Sequence, residues 1–369
     1  MPHYDVVLSS MASDSYRCQR AANSLDIDVT KKLSHRLSVD FSPQDDWRVG
    51  IIYGASGSGK TTLAKKVFGD DAFGANFDLG VCVLDQMPAD MSYDDCARLL
   101  TGVGLTSVPC WLKPIGCLSN GQKDRAFAAL ALSSEREVVV LDEFSSTVDR
   151  TAAMAMCLGL SKFLERGCIR KRVVFVTCHY DVVSWLSSDW RIDCNAQEFD
   201  GGRLERRESL GLSLEIRETD GKEWRHFSKY HYLSDRLPCG VVKYFGLFVG
   251  DRQIGFQCFA NYVPHVDKTK PMQMHFNRTV ILPDFVGLGI GSRLINATSK
   301  IMARMGYDIR AKFSSEPVYR SLTKSSLWAL VSVDRKLKNK KGKIGRGTQS
   351  MRSLVKTYSF RFIDDGSPL

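Results

Sequence analysis

The chain has no Cys-x-x-Cys pair, no uncharged apolar run approaching eighteen residues, and no basic start followed by an apolar stretch. The first absence removes the usual zinc and dithiol spacings. The second removes a membrane-spanning helix, and the third a secretory leader. Eleven cysteines are present, an odd number, and Cys82, Cys178 and Cys258 sit inside apolar segments. Reduced thiols in a cytoplasmic protein with no membrane partner are the expectation. Acid is scarce in one place. Between Arg320 and Arg361 there are twelve Lys/Arg and one acid, Asp334, a net of +11, and the rest of the chain nets −1. That excess is densest at 335–346, "RKLKNKKGKIGR". A charge run is ordinarily a solvated loop; a polyanion contact, with nucleic acid above all, is the other reading.

What is present is ordinary in bulk and specific in detail. The 369 residues are 44% hydrophobic and 25% charged, enough for two globular domains. Val49–Tyr53 reads as a buried strand. It runs into Gly54-Ala55-Ser56-Gly57-Ser58-Gly59-Lys60-Thr61-Thr62 and then a helical stretch, the strand–loop–helix setting of G-x-x-x-x-G-K-[ST]. Its glycines let backbone N–H groups converge on phosphate oxygens at a helix N-terminus. Lys60 would neutralise β/γ-phosphate charge and Thr61 would hold Mg²⁺. Further on, Val138–Leu141 forms a second apolar strand ending in Asp142-Glu143. Asp142 can hold Mg²⁺ through water, and Glu143 can polarise an attacking water.

Between and beyond these lie Gln86, at what reads as a strand end in "VCVLDQMP", then Leu118-Ser119-Asn120-Gly121-Gln122, then "SSTVD" at 145–149, and His179 after the apolar "RVVFVTC". This order resembles the ATP-binding-cassette (ABC) ATPases: phosphate loop, glutamine loop, signature, metal strand with catalytic Glu, aspartate loop and switch histidine. The resemblance implies that Gln86 senses magnesium and water. Ser119, Gly121 and Gln122 would meet the γ-phosphate of a partner's nucleotide, Asp149 would line the dimer seam, and His179 would grip the γ-phosphate. It therefore also implies an ATP-dependent homodimer. Asn120 departs from the usual signature glycine, Phe144 from the proline common after the Glu, and Cys178 lies between Thr177 and His179. Only 82 residues separate Lys60 from Asp142, so a membrane-docking helical subdomain would be reduced. Phe41 and Trp47 are candidates for stacking on adenine or, equally, for the core.

A new strand-like segment starts near 205–215. Two apolar runs then flank Gly250-Asp251, a hairpin-turn pair. After them an apolar strand, Leu282-Pro283-Asp284 and the loop Gly287-Leu288-Gly289-Ile290-Gly291-Ser292 lead into an amphipathic helix to about Met305. This resembles the acetyl-CoA loop of the GNAT acetyltransferases, with Val286 in place of that family's Gln/Arg. The backbone N–H groups of 287–292 would cradle the pyrophosphate. The resemblance makes Tyr319 the residue that protonates the departing thiolate. A dinucleotide fold is the competing reading, with Asp308 as the acidic residue on the next strand. "KYHYLSDRLP", 229–238, loosely resembles phage Mom-type proteins that modify DNA, and makes His231 a base or substrate ligand, or a structural histidine.

The expected class is α/β: a P-loop NTPase of the ABC ATPase type over 1–208, followed by a GNAT-like α+β acyltransferase domain over 209–369 with its basic segment at 320–361. The expected cofactors are ATP, Mg²⁺ and acetyl-CoA or another acyl-CoA. The expected activity is ATP hydrolysis coupled to acyl transfer onto nucleic acid. A protein or small-molecule N-acetyltransferase, and a DNA-repair-type ATPase with a non-catalytic docking module, are the alternatives.

Overall fold

The structure is a computed structural model. It describes all residues except 1, 11, 12, 14, 25–32, 75, 76, 168, 206–212, 232–235, 263, 264, 266, 287, 339–352, 365 and 367–369. The chain forms two compact units, Met1–Leu210 and Gly211–Leu369. The boundary expected at 208/209 falls on residues outside the described ones.

In the first unit β1 (His3–Ser10), α1 (Tyr16–Ser24) and β2 (Leu33–Asp40) precede β3 (Val49–Tyr53) and α2 (Lys60–Phe68). Then come α3 (Tyr93–Gly102), α4 (Val108–Trp111), α5 (Asn120–Ser133), β4 (Val138–Leu141), α6 (Arg150–Glu165), β5 (Arg172–Thr177), α7 (Val182–Trp185), β6 (Trp190–Asp193) and β7 (Glu198–Asp200). β1 and β2 pair antiparallel as a separate ribbon. The main sheet runs β4-β5-β3-β6-β7, parallel throughout except for β7. Parallel strands are covered on both faces, which is why they read as unbroken apolar runs. Ile51, Val139, Val173 and Phe175 pack on the face covered by α3, α5 and α6. Ile52, Val140, Val174, Val176 and Ile192 pack on the other, with Leu63 and Ala64 of α2 and Leu37 and Val39 of β2.

The segment 81–86, which reads as a strand, is not one. Leu84–Gln86 is a single 3₁₀ turn. The turn before it is tied locally, with the Asp78 carboxylate accepting from Gly80 N–H and Gln86 bonded to the Asp78 backbone. Its backbone meets residues 114–116 through one isolated antiparallel bridge, Cys82↔Pro114, with Ile115 N–H donating to Val81 O and Gly116 N–H to Leu79 O.

The second unit contains β8 (Leu214–Thr219), α8 (Trp224–Phe227), β9 (Val242–Val249), β10 (Arg252–Ala260), β11 (Gln273–Ile281), α9 (Ile290–Arg304), β12 (Asp308–Phe313), α10 (Glu316–Thr323), β13 (Trp328–Lys338) and β14 (Ser353–Phe362). They build one sheet in the order β13-β14-β12-β11-β10-β9-β8. Only β11 and β12 are parallel, and α9 is the crossover between them. One face packs against α9 and α10 through Phe259, Met274, Ile295 and Met302. The other packs against α8 through Trp224, Phe227, Phe256 and Cys258. The expected pair of α/β and α+β units is therefore what the chain folds into.

Gly50 of β3 allows Trp190 to lie across the sheet. A Cβ there would sit 2.0 Å from Trp190 Cζ2, and Trp190 is sealed among Phe41, Trp47 and Phe68. Overpacking of this kind costs about 1–3 kcal/mol. Gly50→Ala should lower the denaturant midpoint accordingly, with a changed tryptophan emission in the native baseline. A midpoint within error of the parent would show that the indole has room to move.

Candidate functional site

Residues 54–59 arch over the start of α2 because three glycines take backbone angles that side chains resist: φ is 151° at Gly54, 81° at Gly57 and 89° at Gly59. Gly59 caps α2 in the left-handed form with no side-chain cap, so the first amides of the helix point out of its end unanswered by a side chain. Lys60 is buried and reaches back to donate to Ala55 O at 2.7 Å. Ser56 and Thr62 are exposed at the rim. Ser58 Oγ is buried with no hydrogen-bond partner. An orphaned hydroxyl, open amides and an ammonium on one loop fit a phosphate chain.

Thr61 Oγ1 donates to Asp142 Oδ1 at 3.2 Å. The phosphate loop and the β4 tip, 81 residues apart, thus meet as a hydroxyl and a carboxylate, which suits a hard cation such as Mg²⁺. Asp142 Oδ1 also accepts from Glu143 N–H at 2.9 Å. Glu143 (φ 52°) and Ser145 (φ 68°) are both left-handed, and neither is glycine. Such residues cost on the order of 1–3 kcal/mol each and persist only where neighbours fix them. The neighbours are visible. Phe144 N–H donates to Val176 O at 2.9 Å, Thr177 Oγ1 donates to Phe144 O at 3.1 Å, and the Phe144 ring packs edge-on against Phe175. Ser146 Oγ holds Glu143 Oε2 at 2.8 Å. A proline at position 144 would lack the N–H that pins this loop to β5, which gives that departure a reason. Thr177 Oγ1 also accepts from His179 N–H at 3.1 Å, so one buried hydroxyl places both the Glu143 loop and the histidine.

The remaining residues expected from the ABC likeness are held in structural roles. Ser119 caps α5, and Gln122 Oε1 accepts from Ser119 N–H at 3.1 Å, closing a capping box. A Cβ on Gly121 would meet Val148 Cγ1 at 2.9 Å, so α5 lies tight on the 145–149 segment. Thr147 Oγ1 donates to Asp124 Oδ2 at 2.5 Å across the same seam. Asp149 caps α6 by accepting from Thr151 and Ala152 N–H. Gln86 spends its amide on the 78–82 turn, accepting from Asp78 N–H and donating to Asp78 O. Its strand-end placement is corrected to a turn. Among the described residues no hydrogen bond joins Gln86, Ser119, Gly121, Gln122 or Asp149 to residues 54–62. Phe41 and Trp47 are core residues around Trp190.

Two residues escape notice in the sequence. Asn195 Oδ1 accepts from Ala55 N–H at 3.2 Å, and Asn195 Nδ2 donates to the Tyr180 hydroxyl at 2.9 Å. The Tyr180 ring meets Tyr53 edge-on. Together they buttress the first turn of the phosphate loop. The only signal was Asp193, whose carboxylate accepts from Asn195 and Ala196 N–H and turns the chain after β6.

In the second unit β11 and β12 pair only from Gln273↔Asp308 to Phe276↔Ala311. Both strands continue, to Ile281 and Phe313, but no longer as partners. The parting begins at a β-bulge where Asn277 is the extra residue between Phe276 and Arg278. From there, among the described residues, β11 is laddered on its β10 side alone, an edge of the kind an extended ligand can pair with. The chain then reaches Gly289, left-handed at φ 76° and capping α9 without a side-chain hydrogen bond. Gly287 lies outside the described residues. Ile290 begins the helix with Gly291 next, and Ser292 Oγ lies 2.7 Å from Ser321 Oγ on α10. The Tyr319 ring stacks on Tyr358 with centroids 4.1 Å apart.

His231 packs edge-on against Trp224, and burial followed by the charge of Arg278 lowers its pKa to about 4. It is neutral at physiological pH. Around the bulge, sequence reading missed three residues. Asn277 Nδ2 donates to the Tyr262 hydroxyl, and Arg278 Nη2 donates to Arg236 O at 3.1 Å. Asn277 Oδ1 and Arg278 Nε are buried without a hydrogen-bond partner. Asp308, the acidic residue of the dinucleotide reading, is the first residue of β12 and is bound by Arg310 and Arg361, each at 2.9 Å.

No protein-family model matches the chain, and no curated protein matches it. Among solved structures, a dimeric ATP-binding cassette in a post-hydrolysis state with ADP and Pi is 18% identical. It covers 55% of this chain and 100% of its own, with a TM-score of 0.36. Arabidopsis thaliana NAA60 in complex with acetyl-CoA is 14% identical over 41% of this chain and 99% of its own, TM-score 0.31. A Bacillus subtilis acetyltransferase in complex with CoA is 12% identical over 41% and 97%, TM-score 0.29. At these identities and scores the likenesses establish no activity for this chain.

Lys60→Ala removes the ammonium from the loop while leaving its glycines in place. ATP affinity measured by calorimetry should fall at least 100-fold, with the unfolding midpoint changed little. Parent-like affinity would mean that the loop holds no phosphate.

Proposed function

We propose that the chain hydrolyses ATP in its first unit and transfers an acyl group from acyl-CoA in its second, with nucleic acid as the acceptor. The observation that carries the first half is the 3.2 Å contact between Thr61 and Asp142 with Glu143 next in the chain. Lys60, Ser58 and the α2 amides would bind the phosphates, and Thr61 and Asp142 would hold Mg²⁺. The metal supplies charge neutralisation on the β- and γ-oxygens. Glu143 would take the proton of a water attacking the γ-phosphorus as ADP leaves, and His179 would hold the γ-oxygens. Ser119, Gly121 and Gln122 would complete the site of a second copy. ATP would then bind the paired state better than the separated one, and that difference is what can drive a cycle.

The second half rests on the split between β11 and β12 leading into the left-handed Gly289. The open edge of Asn277–Ile281 would pair with the amides of a pantetheine arm. The α9 N-terminus would take the pyrophosphate. Neutral His231 and Asn277 Oδ1 would accept hydrogen bonds from an acceptor amine. As the amine nitrogen bonds to the thioester carbon, the C–S bond breaks; Tyr319 would give its proton to the thiolate, and the proton shed by the amine nitrogen would pass through solvent to restore the Tyr319 phenol. Nucleic acid as acceptor is supported by the basic segment 335–346. Val286, in place of a Gln/Arg anchor, favours one second reading: a docking module without acyl-CoA on a cassette ATPase.

Glu143→Gln keeps the hydrogen-bonding shape but cannot act as base. It should bind ATP with near-parent affinity, lose at least 100-fold in hydrolysis rate, and accumulate as a dimer at saturating ATP-Mg²⁺ in light scattering. Monomer alone under those conditions counts against a shared site.

Gly289→Glu sets a carboxylate at the α9 N-terminus and forces a side chain into a left-handed position. Acetyl-CoA binding by calorimetry should vanish while ATP hydrolysis continues. Unchanged CoA affinity would take residue 289 out of the site, and no CoA binding by the parent would favour the docking-module reading.

A further inference from the structure

The hairpin of β13 and β14 outruns the sheet that carries it. β12 supports β14 only from Arg310↔Arg361 to Phe313↔Tyr358. β13 and β14 stay paired for five further positions, from Asp334↔Thr357 to Lys338↔Ser353. β13 is the sheet's edge, so among the described residues those five pairs stand as a two-stranded ribbon with no third strand. At about 3.4 Å per residue the ribbon extends roughly 17 Å past the sheet. Its ten residues include Arg335, Lys336, Lys338 and Lys356, and one acid, Asp334. That acid lies 3.6 Å from Lys312 of β12, so its charge is answered at the ribbon's root. The chain joining the two strands adds Lys340, Lys341, Lys343, Arg346 and Arg352 and no acid.

We infer that this ribbon is a duplex-DNA reader that enters the major groove. The inference rests on the nucleic-acid reading above and goes beyond it by naming the element, the groove and the form of the nucleic acid. Two strands about 4.8 Å apart fit within a groove about 12 Å wide. The major groove of A-form RNA is too narrow and deep for the same element. A single strand has no groove for a ribbon to enter. Phosphates rise on both walls of the groove, so basic residues on both strands of the ribbon find partners at once.

The test uses the full chain and a fluorescent 30-base-pair DNA duplex, with the same sequence as single-stranded DNA and as RNA duplex. Anisotropy is read from 50 to 300 mM salt for the parent and for Arg335→Gln/Lys336→Gln/Lys338→Gln/Lys356→Gln. The parent should prefer duplex DNA, and the variant's slope of log affinity against log salt should be shallower by about 3–4, at roughly 0.9 per phosphate contact. Dimethyl sulfate should find guanine N7, which faces the major groove, protected by the parent. Should the fourfold variant fail to fold, as judged by its unfolding midpoint and ATP affinity, Arg335→Gln/Lys336→Gln and Lys338→Gln/Lys356→Gln should each remove about 2 from the slope. If the parent binds DNA but the slope is unchanged, the ribbon is overturned and the nucleic-acid reading stands. Reactive guanine N7, or a preference for RNA duplex or single strands, overturns groove entry. If the parent binds none of the three, both readings fall.

Discussion

The Thr61–Asp142 hydrogen bond depends on where three strands end. β3 and β4 are not neighbours; β5 lies between them. The hydroxyl that follows β3 can meet the carboxylate that follows β4 only because all three strands are parallel and finish at the same edge. β5 is therefore the mount of the site. Its Val176 carbonyl and Thr177 hydroxyl fix Phe144 on one side, and Thr177 fixes His179 on the other. An antiparallel β5 would carry its last residues to the far edge and leave Glu143 with nothing to hold it. The motifs come in the chain order β3, β4, β5 but stand in the sheet as β4-β5-β3, and each strand delivers one chemical group to a shared rim.

Two left-handed residues flanking Phe144 show how that rim is set. The strain is concentrated where Glu143 must turn away from its own strand, and the Phe144 anchor and the Ser146 bond to Glu143 hold it there. The same segment is pressed against the start of α5 by the Thr147–Asp124 bond and the close approach at Gly121. A shift of α5 would therefore be felt at Glu143 within a few residues. If two copies pair as proposed, contact at Ser119 would reach Glu143 by this route.

The sequence was legible where one segment carried its own explanation. Val49–Tyr53, the glycine loop and α2 could be read because apolar run, loop and helix are contiguous. The strand of Val138–Leu141 and the α9 helix were legible for the same reason. The 81–86 segment was misread because its apolar residues look like a strand, while Asp78 and Gln86 close a turn around it and its pairing with residue 114 is one isolated bridge. Asn195 and Tyr180 were invisible since they act on Ala55 from more than 120 residues away. Asn277 and Arg278 were missed because a bulge follows from the register of two strands and leaves no mark in one of them. Gly287 and most of the basic run lie outside the described residues.

Both glycine loops end in the same device, a left-handed glycine capping a helix that no side chain closes: Gly59 at φ 89° and Gly289 at φ 76°. The device favours anions and does not choose among them. The surroundings choose. Beside Gly59 stand Asp142 and Glu143, able to hold a cation and take a proton, so a nucleotide that arrives with magnesium is suited. Beside Gly289 the nearest acid in sequence, Asp284, lies 3.7 Å from Arg252, and Asp308 is bound to two arginines. Among the described residues that leaves no unpaired carboxylate beside Gly289 to bring a metal or to hold a ribose, which weighs against a dinucleotide. What that loop has is the open edge of β11, a row of amides suited to an extended, amide-bearing arm. One chain needs two cradles because each is completed by a different neighbour: a pair of acids in one unit, a parted sheet in the other.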